Sequence, residues 1–177
     1  MKIAISGKMR SGKDEMANYL TEKYNFLRVG FADYIKEMAK DNFKISEKEI
    51  KEKPKNIREF LQLLGKAGRA YDENFWVKKA LEEIEETEEA NYPDIINFVI
   101  PDLRFQNEAK FLKKRGFFLV RVNSERNERL KRGKLSNEND ISEIDLDCYT
   151  DFDFFINNNL DKKDYYKLID KIMKNEI

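Results

Sequence analysis

A short loop near the start of the chain, Gly7-Lys8-Met9-Arg10-Ser11-Gly12-Lys13, constrains the fold more than any other feature. An apolar run, residues 2–6, precedes the loop, and apolar residues at helical spacing follow it from Lys13 to Tyr24. The spacing Gly-x4-Gly-Lys between a strand and a helix is typical of a loop whose amides surround phosphate groups. The alternative is an ordinary strand-to-helix turn. On the phosphate-loop interpretation the ligand contacts come from Gly7, Lys8, Arg10, Ser11, Gly12 and Lys13.

The residue after Lys13 departs from the usual pattern of such loops. Phosphate loops commonly have Ser or Thr there to ligate Mg²⁺, whereas this chain has Asp14. A carboxylate can ligate Mg²⁺ directly or through water, but an aspartate in the first turn of a helix is also stabilising by itself. Both interpretations stay open, and Ser11 offers a second hydroxyl near the metal.

Five short apolar runs alternate with longer stretches of helical spacing, which predicts an α/β fold. The predicted strands are residues 2–6, 26–31, 95–100, 117–122 and 152–156. The predicted helices are residues 13–24, 34–42, 46–53, 57–71, 73–90, 105–115, 125–132 and 162–174, with Asp72, Ser124 and Asp161 as caps at the starts of the fifth, seventh and eighth. We expect one domain over residues 1–177, with a five-stranded parallel sheet in the order 2-3-1-4-5 and helices on both faces.

Composition excludes several classes of chemistry and partner. The chain has 34 basic and 34 acidic residues, no histidine and one cysteine, Cys148. A zero net charge argues against a general nucleic-acid binder. No apolar run is long enough for a membrane span or a signal-peptide core, so we expect a cytoplasmic protein. Imidazole catalysis is excluded, and a lone cysteine cannot build a structural zinc site.

The third predicted strand runs into Pro101-Asp102-Leu103-Arg104. Ligands of open parallel sheets bind beyond the carboxyl ends of the strands, where the phosphate loop also lies. Asp102 is therefore a candidate magnesium anchor and Arg104 a candidate phosphate contact. Alternatively, or in addition, Asp102 caps the helix predicted from Phe105.

Asp33 and Lys36 follow the second predicted strand. Asp33 could accept a proton from the acceptor's hydroxyl group or orient its sugar, or it could cap the next helix. A helical insertion, residues 34–90 approximately, comes before the third strand. Within it, Arg58, Gln62 and Arg69 are candidates for binding the acceptor's phosphate. Trp76, beside Phe75, either covers a base or packs in a core.

Three arginines recur at three-residue spacing after the fourth strand: Arg126, Arg129 and Arg132. Such a segment could close over a triphosphate as a lid, which we place at residues 124–145 approximately. A surface helix with internal ion pairs is the alternative. We expect Arg126 or Arg129 to contribute to catalysis.

Several motifs in register resemble the deoxynucleoside monophosphate kinase family of bacterial viruses and bacteria. They are GKMRSGKDEMANYL, FADYIKEMA, LQLLGKAGRAYDENFWV, VIPDLRFQNEA and ISEIDLD followed by FDFFINNN. The resemblance runs from Lys2 to about Asn159. It implies a P-loop kinase fold of three layers, α/β/α, with ATP and Mg²⁺ as cofactors and a deoxynucleoside monophosphate as acceptor. By match, Gly7 to Asp14 bind ATP, and Asp33, Lys36 and Arg69 face the acceptor. Asp102 and Arg104 lie at the reaction centre, with Ser142 and Glu143 in the lid region.

Three positions depart from that family. It often has proline where this chain has Tyr34 and Gln106, and histidine where it has Ile141, which weakens a catalytic role for the last region. Animal phosphomevalonate kinases resemble the same loop, so a non-nucleotide phosphate stays an alternative acceptor. A non-catalytic ATP sensor is the alternative from another class. The expected partners are small nucleotide substrates, and the sequence leaves open whether the chain forms a homodimer.

Overall fold

The computed structural model describes residues 1–174. They form two compact units. We call the first the sheet unit, Met1–Arg28 with the chain from Ile96 onward, and the second the helical unit, Val29–Ile95.

The sheet unit contains five parallel strands in the order β2-β3-β1-β4-β5. The strands are β1 (Lys2–Ser6), β2 (Phe26–Arg28), β3 (Asn97–Leu103), β4 (Phe118–Asn123) and β5 (Phe154–Asn157). The predicted fold class and strand order are both confirmed. With β1 central, the chain leaves the sheet for the phosphate loop between β3 and β4.

Helices cover both faces of this sheet. They are α1 (Lys13–Tyr24), α6 (Gln106–Lys114), α7 (Arg126–Lys131), α8 (Ile141–Ile144) and α9 (Lys162–Met173). Alternate residues of β1, Ile3 and Ile5, pack in one buried cluster with Leu20 of α1 and Ile169 of α9. Right-handed crossovers put α6 on the opposite face. The sequence missed only the short helix α8 among these.

β3 is longer than predicted and contains a β-bulge. Its register steps from Ala4 opposite Ile100 to Ser6 opposite Leu103. Pro101 lacks an amide hydrogen for the ladder, and a bulge is one of the few places where a central strand accepts proline. Asp102 therefore lies within β3 rather than after it, and bulges commonly redirect side chains next to active sites.

The helical unit consists of α2 (Phe31–Phe43), α3 (Glu47–Glu52), α4 (Lys55–Tyr71) and α5 (Phe75–Asn91). The second strand was predicted too long: β2 ends at Arg28, and α2 begins at Phe31. Asp33 consequently lies in the first turn of α2, whose N-cap is Gly30.

Helix boundaries correct three predicted caps. Asn74, not Asp72, is the N-cap of α5, and Asp72 accepts a hydrogen bond from the Asn74 amide. Glu125, not Ser124, is the N-cap of α7. At α6 the N-cap is Phe105, and the buried Glu108 carboxylate accepts from the Arg104 and Phe105 amides, the role that we considered for Asp102. The predicted Asp161 cap is confirmed by a 2.9 Å hydrogen bond from the Asp164 amide.

None of the helices within residues 1–174 combines the length and the apolar character needed to cross a membrane.

Candidate functional site

The loop between β1 and α1 folds back tightly on itself. The Ser11 amide donates to the Lys8 carbonyl at 3.0 Å. Arg10 and Gly12 have positive φ angles, 66° and 104°. Left-handed residues interspersed in a turn bend successive amides toward a common centre and make an anion-binding concavity.

Four consecutive carbonyls of the loop are bonded to the surrounding protein. Arg129 donates to the Met9 carbonyl at 3.2 Å, and Arg132 donates to those of Arg10 and Ser11 at 3.1 Å each. Asn158 Nδ2 donates to the Ser11 carbonyl at 2.8 Å, and the Tyr165 hydroxyl donates to the Gly12 carbonyl at 3.1 Å.

These bonds determine where the loop amides point. In a planar trans peptide the carbonyl and the following N–H are directed oppositely. With the carbonyls of residues 9–12 turned toward α7, α9 and the residues after β5, the amides of residues 10–13 are turned away from them. The α1 N-terminus adds partial positive charge at the same place, so the loop is suited to hold phosphate oxygens.

Gly12 is required by both conformation and space. Its φ of 104° is strained for other residues, and an added Cβ would lie 2.1 Å from Asn158 Nδ2. The side chain that fixes the Ser11 carbonyl thus occupies the space that a larger residue would need.

Lys13 and Asp14 begin α1 beside the loop. The Lys13 side chain is only 7% exposed, and its Nζ lies 3.1 Å from Asp14 Oδ2. The Ser11 hydroxyl is buried and finds no hydrogen-bond partner within residues 1–174. No group of three or more acidic, histidine or cysteine side chains in that range could hold a metal ion by itself. The exposed Asp14 carboxylate beside the loop fits Mg²⁺, which proteins usually bind through one or two carboxylates plus substrate phosphates and water.

A carboxylate from the segment after α7 contacts the loop. Glu143 of α8 accepts a 2.7 Å hydrogen bond from the Met9 amide and forms an ion pair with Arg104. Arg104 Nη1 also donates to the Ser142 carbonyl at 3.3 Å. The structure therefore links Arg104, just after β3, to the phosphate loop.

Lys8 belongs to a second charged group. Asp147 lies 2.6 Å from Lys8 Nζ and 2.9 Å from Nη2 of Arg121, a buried residue of β4. Arg121 Nη1 donates to the Ser6 hydroxyl at 2.8 Å. Burial lowers the pKa of the Arg121 guanidinium, whereas the negative charges of Asp147 and Glu143 raise it. An arginine stays protonated at physiological pH.

A cavity of about 620 Å³ opens beside Lys8 at the carboxyl ends of β4 and β5. Arg121 and Arg129 line it together with three asparagines, Asn123, Asn157 and Asn159. The lining mixes cationic groups and amides with the carboxylates of Glu125 and Asp147 and with apolar side chains, which suits a ligand that is partly polar and partly apolar.

The three arginines of the predicted lid differ in environment. Arg126 is exposed and pairs with Glu138 at 2.9 Å, whereas Arg129 is buried between Glu138 and the Met9 carbonyl. The hydrogen bond from Arg126, aided by Arg129, lowers the pKa of Glu138. Arg132, which was not expected to contribute to catalysis, donates to two of the loop carbonyls. The catalytic roles of Arg126 and Arg129 stay predictions.

The acceptor-side candidates lie in the helical unit. Lys36 Nζ is 2.5 Å from Asp33 Oδ1. The positions of Arg58, Gln62 and Arg69 along α4 put them on one helical face, because they are spaced by four and seven residues.

Trp76 packs inside the helical unit. It is 2% exposed, and its Nε1 donates to the Gly65 carbonyl at 2.9 Å. Burial corrects the expectation that Trp76 covers a base and favours its alternative packing role.

Three residues that contact the loop or its neighbours were not recognised as candidates from the sequence: Arg121, Asp147 and Asn158. Arg132 and Glu143 were placed in the lid region, without a specific role. Arg121 carries the clearest signal, since it is a lone charge within an apolar strand. Glu143 and Asp147 fall in the stretch that resembles Ser-Glu-x-x-Leu-Asp, but nothing in that spacing shows that the two carboxylates turn toward the loop.

Comparison with known proteins confirms the resemblance that the motifs indicate. The "Putative deoxynucleotide monophosphate kinase" of Acanthamoeba polyphaga mimivirus is 28% identical to this chain over 186 residues, 94% of this chain and 93% of that protein. No protein-family model matches the chain.

Two solved structures share the fold. Shikimate kinase from Aquifex aeolicus is 18% identical with a TM-score of 0.57, and the match covers 99% of this chain and 98% of that one. Dephospho-CoA kinase from Campylobacter jejuni is 18% identical with a TM-score of 0.55, and the match covers all of both chains. At this identity the likeness shows the fold alone, which is the three-layer α/β/α arrangement of P-loop kinases.

Proposed function

We propose that this chain is a kinase that transfers the terminal phosphate of ATP to a deoxynucleoside monophosphate, giving the diphosphate and ADP. The observation that carries the proposal is the loop between β1 and α1, whose carbonyls are bonded outward by Arg129, Arg132, Asn158 and Tyr165. The similarity to the mimivirus protein over nearly the whole chain supports the choice of acceptor.

Phosphoryl transfer to a phosphate acceptor depends more on charge neutralisation than on a general base. An oxygen of the acceptor's phosphate attacks the γ-phosphorus of ATP, and the bond from that phosphorus to the β–γ bridging oxygen breaks. The second pKa of a phosphate monoester is about 6, so the attacking oxygen is already largely ionised at pH 7. A chain without histidine can therefore perform this transfer, because positioning and electrostatic stabilisation supply most of the rate.

The sheet unit contributes the groups that would bind ATP. The amides of Arg10, Gly12 and Lys13 surround the phosphates, and the Lys13 ammonium group neutralises charge on the leaving oxygen. Mg²⁺ would be held by Asp14 and Asp102 and would supply positive charge to the phosphates when bound. The cavity beside Lys8 gives room for the remainder of ATP.

The helical unit contributes the groups that would bind the acceptor. Arg58, Gln62 and Arg69 share one face of α4, where guanidinium groups can form paired hydrogen bonds with a phosphate. Asp33, already paired with Lys36, would orient the sugar.

The test is ATP consumption by the purified chain with Mg²⁺ and a panel of acceptors. The panel contains dAMP, dCMP, dGMP and dTMP, their ribose forms and phosphomevalonate, with Lys13→Ala as the control. Turnover on one or more deoxynucleotides, lost in Lys13→Ala, supports the proposal. Turnover on phosphomevalonate alone would replace the acceptor and keep the mechanism, and ATP binding without any turnover would favour the sensor.

A further inference from the structure

The Glu143 carboxylate occupies a position that neither a cap nor a surface ion pair explains. Its side chain is 7% exposed, although α8 is a helix of only four residues, Ile141–Ile144. It accepts from the Met9 amide at 2.7 Å and pairs with the Arg104 guanidinium. A buried carboxylate is costly unless it is paired and hydrogen-bonded, so these two partners are what make the position tenable.

The two partners of Glu143, a backbone amide and a guanidinium, are the kinds of donor that also bind phosphate. They come from different parts of the sheet unit, the loop after β1 and the residue that follows β3. Glu143 therefore connects two groups that would otherwise be positioned independently. The Ser142 carbonyl, 3.3 Å from Arg104 Nη1, adds a second contact on the same side of the guanidinium.

Anchors on either side of Glu143 hold its segment in place. Asp145 accepts a 2.7 Å hydrogen bond from the Gln106 amide, and the Gln106 side chain donates to the Asp145 carbonyl at 2.8 Å. Asp147 pairs with Lys8 and Arg121. Both of the Asp145 hydrogen bonds join it to Gln106, the first residue of α6. The role of Asp145 can therefore be separated from that of Glu143.

We propose that Glu143 is a positioning residue of the phosphoryl transfer, whose carboxylate holds the Arg104 guanidinium next to the phosphate loop before ATP binds. The inference rests on the proposed function and assigns to this site a residue that acts through Arg104. Preorganised charge is worth more to a transition state than charge that must first be oriented, so the effect belongs in kcat rather than in ATP affinity.

The test compares Glu143→Gln with Asp145→Asn in the full chain. Glutamine retains an oxygen that can accept from the Met9 amide but loses the charge that fixes Arg104. We expect kcat of Glu143→Gln to fall about 10-fold or more, the loss typical of removing a group that orients a catalytic one. The dissociation constant of a non-hydrolysable ATP analogue, measured by calorimetry, should change by less than about threefold, since the other loop amides are untouched. Asp145→Asn, which keeps an acceptor for the Gln106 amide, should retain kcat.

A double-mutant cycle with Arg104→Ala distinguishes positioning from a merely structural role. If Glu143 acts through Arg104, kcat of Arg104→Ala combined with Glu143→Gln should match that of Arg104→Ala alone. Independent, multiplying losses would overturn the inference, and so would an equal loss in Asp145→Asn or a wild-type kcat in Glu143→Gln. Absence of turnover by the wild-type chain on every acceptor would instead overturn the proposed function itself, and this inference with it.

Discussion

Single residues determine whether the phosphate loop can form, and Gly12 is the most demanding of them. We predict that Gly12→Ala lowers the free energy of unfolding by more than the roughly 1–2 kcal/mol that a left-handed conformation costs other residues. The added Cβ would also collide with Asn158 Nδ2. ATP binding should be lost with it. The measurement is urea unfolding together with calorimetric titration of ATP.

Gly116 provides the matched control for that prediction. Its φ is +76°, yet nothing lies within 4 Å of an added Cβ. Gly116→Ala should therefore show the conformational cost alone and bind ATP normally. Equal unfolding curves for the two variants would contradict the account of Gly12.

The roles of single residues could be predicted from the sequence where the backbone conformation requires a residue type. They could not be predicted where a role depends on which way a side chain turns in the folded protein. Gly7, Gly12 and Lys13 follow from loop geometry and were recognised at once. Arg126, Arg129 and Arg132 look equivalent at three-residue spacing, but one is exposed, one is buried and one binds two loop carbonyls. Which guanidinium turns inward depends on tertiary contacts that spacing does not encode.

Among the elements, α7 and its C-cap hold the phosphate loop in place, a role that the basic composition of the helix does not indicate. Nη1 and Nη2 of Arg132 donate to the carbonyls of Arg10, Ser11 and Asn158 and to the Ser124 hydroxyl. Arg132, the C-cap of α7, thus holds the phosphate loop through its carbonyl groups. A lid of arginines that only closes over ATP, as the sequence suggested, would not need these bonds.

We predict that Arg132→Ala lowers the free energy of unfolding by about 2–3 kcal/mol, the magnitude expected when hydrogen bonds to a charged group are lost. ATP affinity should fall as well, because the Arg10 carbonyl loses the Arg132 donor and the Ser11 carbonyl keeps only the one from Asn158. Lys131→Ala is the control, since Lys131 is exposed and pairs with Glu128 in the preceding turn of α7. The account of α7 would be wrong if both variants unfolded alike in urea.

Element boundaries were predictable where periodicity and glycine agreed, as for α1, and failed where a strand and a helix meet within a few residues. The apolar run at residues 26–31 continues through the end of β2 into α2, because the first residue of the helix, Phe31, is itself buried. Similarly, β3 continues through Pro101 because a bulge accommodates it. Neither feature changes the hydrophobic pattern that the prediction used.

At the scale of the whole molecule, the strand order could be predicted because right-handed crossovers and a central phosphate-loop strand leave few topologies. The helical unit is different: its helices are amphipathic, and it is the resemblance to the kinase family that indicates which residues face a ligand. The acceptor site therefore stays a prediction that depends on the position of Arg58, Gln62 and Arg69 along α4.

Arg69→Ala tests that prediction. Loss of a paired contact to a phosphate should raise the KM for the acceptor roughly 10- to 100-fold, with the KM for ATP nearly unchanged. Lys48→Ala, which removes the same charge from a side chain of α3 that is 81% exposed, should leave both constants alone. Steady-state kinetics with each substrate varied in turn would detect the difference, and a rise confined to the KM for ATP would contradict the assignment.

The central claim is that the loop from Gly7 to Lys13 delivers the γ-phosphate of ATP to a deoxynucleoside monophosphate. The most direct measurement is to follow γ-³²P from ATP by chromatography after incubation with Mg²⁺, the chain and each deoxynucleotide. The account predicts label in a deoxynucleoside diphosphate with wild-type protein and none with Lys13→Ala. Label found only in inorganic phosphate, or equal transfer by the Lys13→Ala variant, would contradict it.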